Sequence, residues 1–97
     1  MTKAHGPITA GEILRTEFLE PLGISQYRLA QATGLSQTRI GEIVRGRRRI
    51  TTETGLRLSR ALGTSERFWI NLQADYDIEV EHDIHEDDLN RVESLVS

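Results

Sequence analysis

The chain has 97 residues, enough for one small domain with a single hydrophobic core. It contains no cysteine, which excludes disulfide bridges and thiolate metal sites and fits a reducing cytoplasm. It also has no apolar run long enough to span a membrane and no signal-peptide pattern, so we expect a cytoplasmic protein with no membrane partner.

Charge is distributed unevenly along the chain, although the net charge is only −3. Residues 1–74 carry 11 Lys and Arg against 6 acids, a balance of +5, whereas residues 75–97 carry 9 acids against Arg91 alone, a balance of −8. The first part can therefore attract a polyanion, and the tail can repel one or attract a cationic partner. Alternatively, the acidic tail only improves solubility.

The first predicted helix begins at a capping box formed by Thr9 and Glu12. Leu14, Phe18 and Leu22 then recur every four residues, which predicts that they form the core face of this helix. The proline and glycine that flank Leu22 favour a helix end there.

The stretch from Ser25 to Gly46 predicts two short helices separated by a turn. Ser25 and Ser36 suit the two N-caps, and Gly34 suits the turn because glycine adopts a positive φ without strain. The polar residues at the start of the second helix remain outside: Gln37, Thr38, Arg39 and Glu42. This pattern is typical of a helix-turn-helix, whose second helix lies in the DNA major groove. The alternative is an ordinary helical hairpin within a bundle.

A basic stretch follows the second of these helices directly. Arg47, Arg48 and Arg49 come after Gly46, and guanidinium groups can bind phosphate oxygens bidentately. Because phosphate contacts fix the register of a protein on a duplex, we predict phosphate binding here rather than a plain charged loop.

A fourth helix is predicted to start at Thr51 or Thr52, and a fifth at Ser65. The fifth carries aromatic and apolar residues at helical spacing: Phe68, Trp69, Leu72 and Tyr76. One small core cannot easily enclose them all, so this face is a candidate dimer interface. The alternative is that these residues simply close the helical bundle, and the two interpretations overlap.

The acidic tail has two further patterns. Apolar and acidic residues alternate over 77–81, which indicates a short edge strand or extended segment, and Leu89, Val92 and Val96 fit a last amphipathic helix. His82 and His85 could share a metal if helical, which would allow a metal-dependent hydrolase. With no catalytic motif in the chain, we expect no enzyme activity, metal or cofactor.

Several longer motifs give the chain a family resemblance. It resembles the helix-turn-helix family that contains the lambda-type phage repressors and, more narrowly, the HigA-type antitoxins of bacterial toxin–antitoxin modules. The narrow match rests on 11–14, 17–23, 39–48, 61–65 and 68–77. The resemblance implies an all-α, lambda-repressor-like domain of five helices over residues 8–77, and we assign 78–97 to a short acidic C-terminal extension.

The resemblance also implies a function. Such an antitoxin binds a palindromic operator of its own operon as a homodimer, and it binds a HigB-type toxin, a small basic ribonuclease that cleaves mRNA. By the family pattern Gln37, Thr38 and Arg39 would read bases, and Gln26, Arg45 and Arg47 would contact phosphate. Gly41 stands where relatives often have serine. The alternative is a stand-alone repressor without a toxin partner.

A cationic toxin would need an acidic surface on this chain. Two are available: Glu12, Glu17 and Glu20 on the first helix, and the carboxylates of residues 75–88 in the tail. The first helix lies within the family match and leaves the DNA face free, so we favour it, with the tail as the second choice.

Overall fold

The computed structural model describes residues 6–96, and within that range the chain forms five helices and no strand. Helix α1 (residues 10–22) joins an α-helical segment Ala10–Ile13, a π-helical segment Leu14–Leu19 and a last turn Glu20–Leu22. The other helices are α2 (Gln26–Thr33), α3 (Gln37–Val44), α4 (Thr52–Leu62) and α5 (Glu66–Asn90). The predicted all-α fold of five helices is therefore confirmed.

Hydroxyl N-caps start four of the five helices. Thr9, Ser25, Ser36 and Thr51 each accept a hydrogen bond from the backbone N–H three residues later, at 3.0–3.3 Å. Each bond satisfies one of the backbone donors that a helix start leaves free. Ser65 occupies the N-cap position of α5, but its side chain makes no capping hydrogen bond.

The π-helical segment changes which face of α1 is buried. Leu14 is fully buried as predicted, but Leu22 is 61% exposed and Leu19, at 5%, takes its place in the core. The N–H of Glu20, directly after the segment, bonds to the carbonyl of Arg15, five residues back. The next buried leucine after Leu14 therefore comes five positions later instead of four. The prediction of Leu22 as a core residue is therefore wrong.

Trp69 lies at the centre of the core. It is fully buried, and its ring centroid lies 5.1 Å from that of Phe18 and 4.9 Å from that of Phe68. Such tilted and edge-to-face pairs stabilise the core in addition to the effect of burying apolar area. Because its own chain covers Trp69 completely, the prediction that it belongs to a dimer interface is wrong, whereas Leu72 and Tyr76 are partly exposed.

The acidic tail continues α5. Residues 77–81 are helical, so the predicted strand is wrong, and the proposed domain boundary at residues 77 and 78 falls inside a helix. Backbone angles leave the helical region at His85, and α5 ends at Asn90, so of the predicted last helix Leu89 is helical whereas Val92 and Val96 lie beyond its end. Residues 81–96 are all exposed. Ser97, the end of the predicted extension, lies outside the described residues.

Replacing Gly11 with alanine should strongly destabilise the protein. A Cβ atom on Gly11 would lie 1.6 Å from the carbonyl oxygen of Ile43, where α1 crosses α3. Because backbone atoms occupy the space, the two helices must separate, which should lower the free energy of unfolding by about 3 kcal/mol. Urea denaturation measures the loss.

Gly55→Ala is the matched control for this substitution. A Cβ on Gly55 would meet side-chain atoms of Ile70 at 3.2 Å and of Trp69 at 3.4 Å, which can adjust slightly. The gain in helix propensity, about 1 kcal/mol, should roughly offset that crowding. Equal losses in the two variants would contradict a special role for the crossing at Gly11.

Candidate nucleic-acid interface

The turn between α2 and α3 is held by buried polar contacts. The Thr33 hydroxyl donates to the carbonyl of Leu29 at 2.8 Å and accepts from the N–H of Leu35 at 3.2 Å. Gly34 has a φ of +78°, which suits glycine, and Arg57 on α4 donates through Nη1 to the carbonyl of Thr33 at 2.8 Å. These bonds fix α3 relative to α2 and α4.

Helix α3 has one buried and one exposed face. Ile40 is 0% exposed and Ile43 is 1% exposed, and both anchor the helix to the core. At its N-terminal end Gln37 and Thr38 are exposed and Arg39 is partly exposed. The structure therefore places all three predicted base readers together in the exposed first turn of α3, where a major-groove reader needs them.

Gly41 of the same helix is buried beneath two polar side chains. A Cβ at Gly41 would lie 3.4 Å from Oε1 of Gln26 and 3.2 Å from Nη1 of Arg45. Because Gly41 has no side chain, the polar ends of Gln26 and Arg45 can approach the same point on its backbone. Two of the predicted phosphate ligands, Gln26 and Arg45, thus lie close together against Gly41 of α3.

The three arginines of the loop after α3 differ in the contacts that they make. Nε of Arg48 donates to Glu42 at 2.7 Å, and this bond does not use the terminal nitrogens of Arg48. Arg49 instead donates through both terminal nitrogens to Asp77 on α5, at 3.2 and 2.6 Å. Arg47 is exposed and lines a shallow cavity with Thr9.

Gln73 joins the same loop to α5. Its buried amide oxygen accepts from the N–H of Ile50 at 2.7 Å, and its amide nitrogen donates to Asp77 at 3.0 Å. The hydrogen bond from Arg49 lowers the pKa of the Asp77 carboxyl, and the same bond raises the pKa of Arg49. Sequence reasoning missed Gln73 and Asp77 because Asp77 lies 28 positions from Arg49 and no local pattern links them.

The acidic side chains predicted to bind a toxin are on the surface. Glu12, Glu17 and Glu20 are exposed, and Glu20 pairs with Arg15 at 2.8 Å. In the tail Nδ1 of His82 lies 2.9 Å from a carboxylate oxygen of Glu86. Similarly, His85 lies 2.7 Å from Glu81.

Residues 6–96 contain no group of three or more side chains suited to hold a metal ion, and no helix in that range is long and apolar enough to cross a membrane.

The helix-turn-helix family profile matches residues 16–69, which include the whole of α2 and α3. The chain belongs to the helix-turn-helix family. Virulence-associated protein I of Dichelobacter nodosus is 48% identical over 73 residues, which are 75% of this chain and 68% of that protein. Antitoxin HigA-1 of Vibrio cholerae is 36% identical over 72 residues, 74% of this chain and 68% of that protein.

A solved structure supports the same grouping. Pseudomonas aeruginosa antitoxin HigA with the higBA promoter superposes with a TM-score of 0.85 at 37% identity, covering 93% of this chain and 99% of that one. The resemblance to HigA-type antitoxins is therefore confirmed, and the family is one of regulators rather than enzymes.

Acidification should remove the stabilisation that the Asp77 carboxylate provides. Because folding lowers the pKa of Asp77, its contribution is complete above the usual value of about 4 and is lost as the pH falls through the folded value. An exposed pair contributes at most about 1 kcal/mol, so Asp77→Asn should melt a few degrees below wild type at neutral pH.

This difference in melting temperature should shrink as the pH is lowered below about 4. Asp75→Asn, an exposed carboxylate on the same helix, controls for general charge effects. A gap between wild type and Asp77→Asn that stays constant down to strongly acidic pH would contradict the ion pair as its cause.

Proposed function

We propose that this protein is an antitoxin that represses its own operon by binding operator DNA and neutralises a HigB-type toxin by direct contact in the cytoplasm. The observation that carries the proposal is the exposed, capped first turn of α3, which presents Gln37, Thr38 and Arg39 beside Gln26 and Arg45. The antitoxin HigA of Pseudomonas aeruginosa, which superposes over nearly its whole length, was solved with the higBA promoter.

In this proposal the residues divide by the part of the duplex they touch. Gln37, Thr38 and Arg39 read base edges, because side chains in the first turn of a recognition helix reach the groove floor. Gln26 and the arginines that retain free donors contact phosphate: Arg45, Arg47 and Arg48. These contacts set register and carry no sequence information themselves.

A palindromic operator requires a two-fold dimer with its recognition helices about 34 Å apart, or a multiple of that distance. Leu72 and Tyr76 are partly exposed on α5, and Ile78, Ile84 and Leu89 are exposed farther along the helix. We assign the dimer contact to the face of α5 that carries Leu72 and Tyr76, from which Ile78 is rotated by roughly half a turn. Phe68 contributes mainly by packing against Phe18, with ring centroids 5.8 Å apart.

Arg39→Ala and Arg47→Ala should weaken DNA binding in different ways. Loss of Arg39 should relax the base preference, at a cost of about 1–3 kcal/mol if it reads guanine. Loss of Arg47 should weaken all sequences alike and lower the magnitude of the salt slope by about one unit, because one phosphate contact disappears. Binding to operator, mutated operator and random duplex over a range of salt measures both effects.

Gln31→Ala, an exposed change on α2, serves as the control. If Arg39→Ala keeps the preferred sequence and the affinity of the control, Arg39 is not a base reader. If the protein does not distinguish operator from random duplex, the repressor function itself is wrong.

For the toxin, we propose that the carboxylates of α1 compete with RNA phosphates for the cationic groups of the ribonuclease. Glu12, Glu17 and Glu20 are exposed on a helix separate from the reading turn, so toxin and DNA can bind together. The tail is the second candidate, since complementary charge there would speed encounter.

The α1 surface and the tail can be compared directly by mutation. Glu17→Lys combined with Glu20→Lys should reduce toxin binding at least tenfold, because attraction becomes repulsion. Deletion after Glu81 should have a smaller effect and should not unfold the protein, because residues 82–96 are all exposed. Co-expression with the neighbouring open reading frame, followed by complex formation and rescue of growth, provides the measurement.

Circular dichroism and light scattering should first establish that both variants fold and dimerise. If the deletion abolishes toxin binding in a still-dimeric protein and the double change has no effect, the tail is the neutralising element. If the wild-type protein captures no product of its genomic neighbour, the stand-alone repressor becomes the better description.

A further inference from the structure

We propose that Asp77 withholds Arg49 from DNA and thereby sets the number of phosphate contacts made by the loop after α3. This inference rests on the proposed DNA binding and changes one expected role, because Arg49 was predicted to bind phosphate. Asp77 is a positioning residue here: it acts on DNA through Arg49, without touching the duplex.

The geometry of the pair carries the argument. Asp77 takes both terminal nitrogens of Arg49, at 3.2 and 2.6 Å, which is the arrangement a guanidinium makes with a phosphate. To bind DNA, Arg49 would have to exchange one bidentate oxyanion for another. Arg48 differs, because it meets Glu42 through Nε at 2.7 Å and keeps its terminal nitrogens available to other acceptors.

The position of Asp77 is itself held. The amide nitrogen of Gln73 donates to Asp77 at 3.0 Å, and the amide oxygen of Gln73 accepts from the N–H of Ile50, the residue next to Arg49. Gln73 is 7% exposed, and its bond to Ile50 is buried while its bond to Asp77 is partly buried. The carboxylate and the backbone beside Arg49 are thus fixed by the same side chain, which makes the pair more persistent than an isolated surface ion pair.

The test compares the salt dependence of binding to a random duplex and to heparin among single and double variants. Asp77→Asn should release Arg49 and increase the magnitude of the salt slope on DNA by about 0.9 relative to Asp75→Asn, which removes the same charge from the same helix. Arg49→Gln alone should keep the wild-type slope. The double variant Asp77→Asn with Arg49→Gln should also return to the wild-type slope, because the gain depends on the released guanidinium.

A merely structural role for Asp77 predicts the opposite sign, since a disordered loop would lose contacts and lower the slope. The proposal is overturned if Arg49→Gln lowers the slope as Arg47→Ala does, or if Asp77→Asn and Asp75→Asn behave alike. Because heparin and random duplex need no operator, these outcomes are separate from the failure of sequence-specific repression, which only the operator comparison detects.

Discussion

The close crossing of α1 over α3 is the constraint on which the position of the exposed first turn of α3 depends. Gly11 meets the backbone of Ile43 so tightly that no side chain fits between the helices. A backbone contact of this kind fixes the distance between two helices better than interdigitated side chains, which can change rotamer. Since the side chains of Ile40 and Ile43 are also buried in the core, the exposed first turn of α3 has little freedom to rotate.

A second set of contacts fixes the loop that follows α3. This loop lacks regular structure, yet both of its ends are bonded: Arg48 to Glu42 on α3, and Arg49 and Ile50 to α5. Ordering the arginines in the free protein reduces the entropy that DNA binding would otherwise have to overcome. The opposing effect is that a carboxylate that orders an arginine also competes with phosphate for it.

The sequence predicted those features that depend on neighbours a few residues apart. Hydroxyl caps such as Ser25 and Ser36, and the glycine turn at Gly34, act within one helical turn, so their residues and spacing suffice. The reading turn followed from the same local signals. The placement of Trp69 did not, because only the packed structure shows that one small core can enclose it.

The features that the sequence did not predict arise from longer-range or competing effects. The π-helical segment replaces a four-residue row with a five-residue step, and nothing in the spacing of Leu14, Phe18 and Leu22 signals it. The alternation over 77–81 suggested a strand, but a strand needs a partner edge, and within residues 6–96 no other strand exists. A helix satisfies its own backbone, and pairs such as His82 with Glu86 and His85 with Glu81 support it at i,i+4 spacing.

The charge asymmetry of the chain meets the rest of the structure in α5, which carries most of the tail carboxylates. Residues 81–96 are all exposed, so their carboxylates are in contact with solvent, where salt screens charges over about 8 Å. Asp77 is a tail carboxylate that reaches the loop, and its effect on Arg49 is direct because it acts at hydrogen-bond distance. The basic loop and the acidic part of the chain are thus joined through the pair of Arg49 and Asp77.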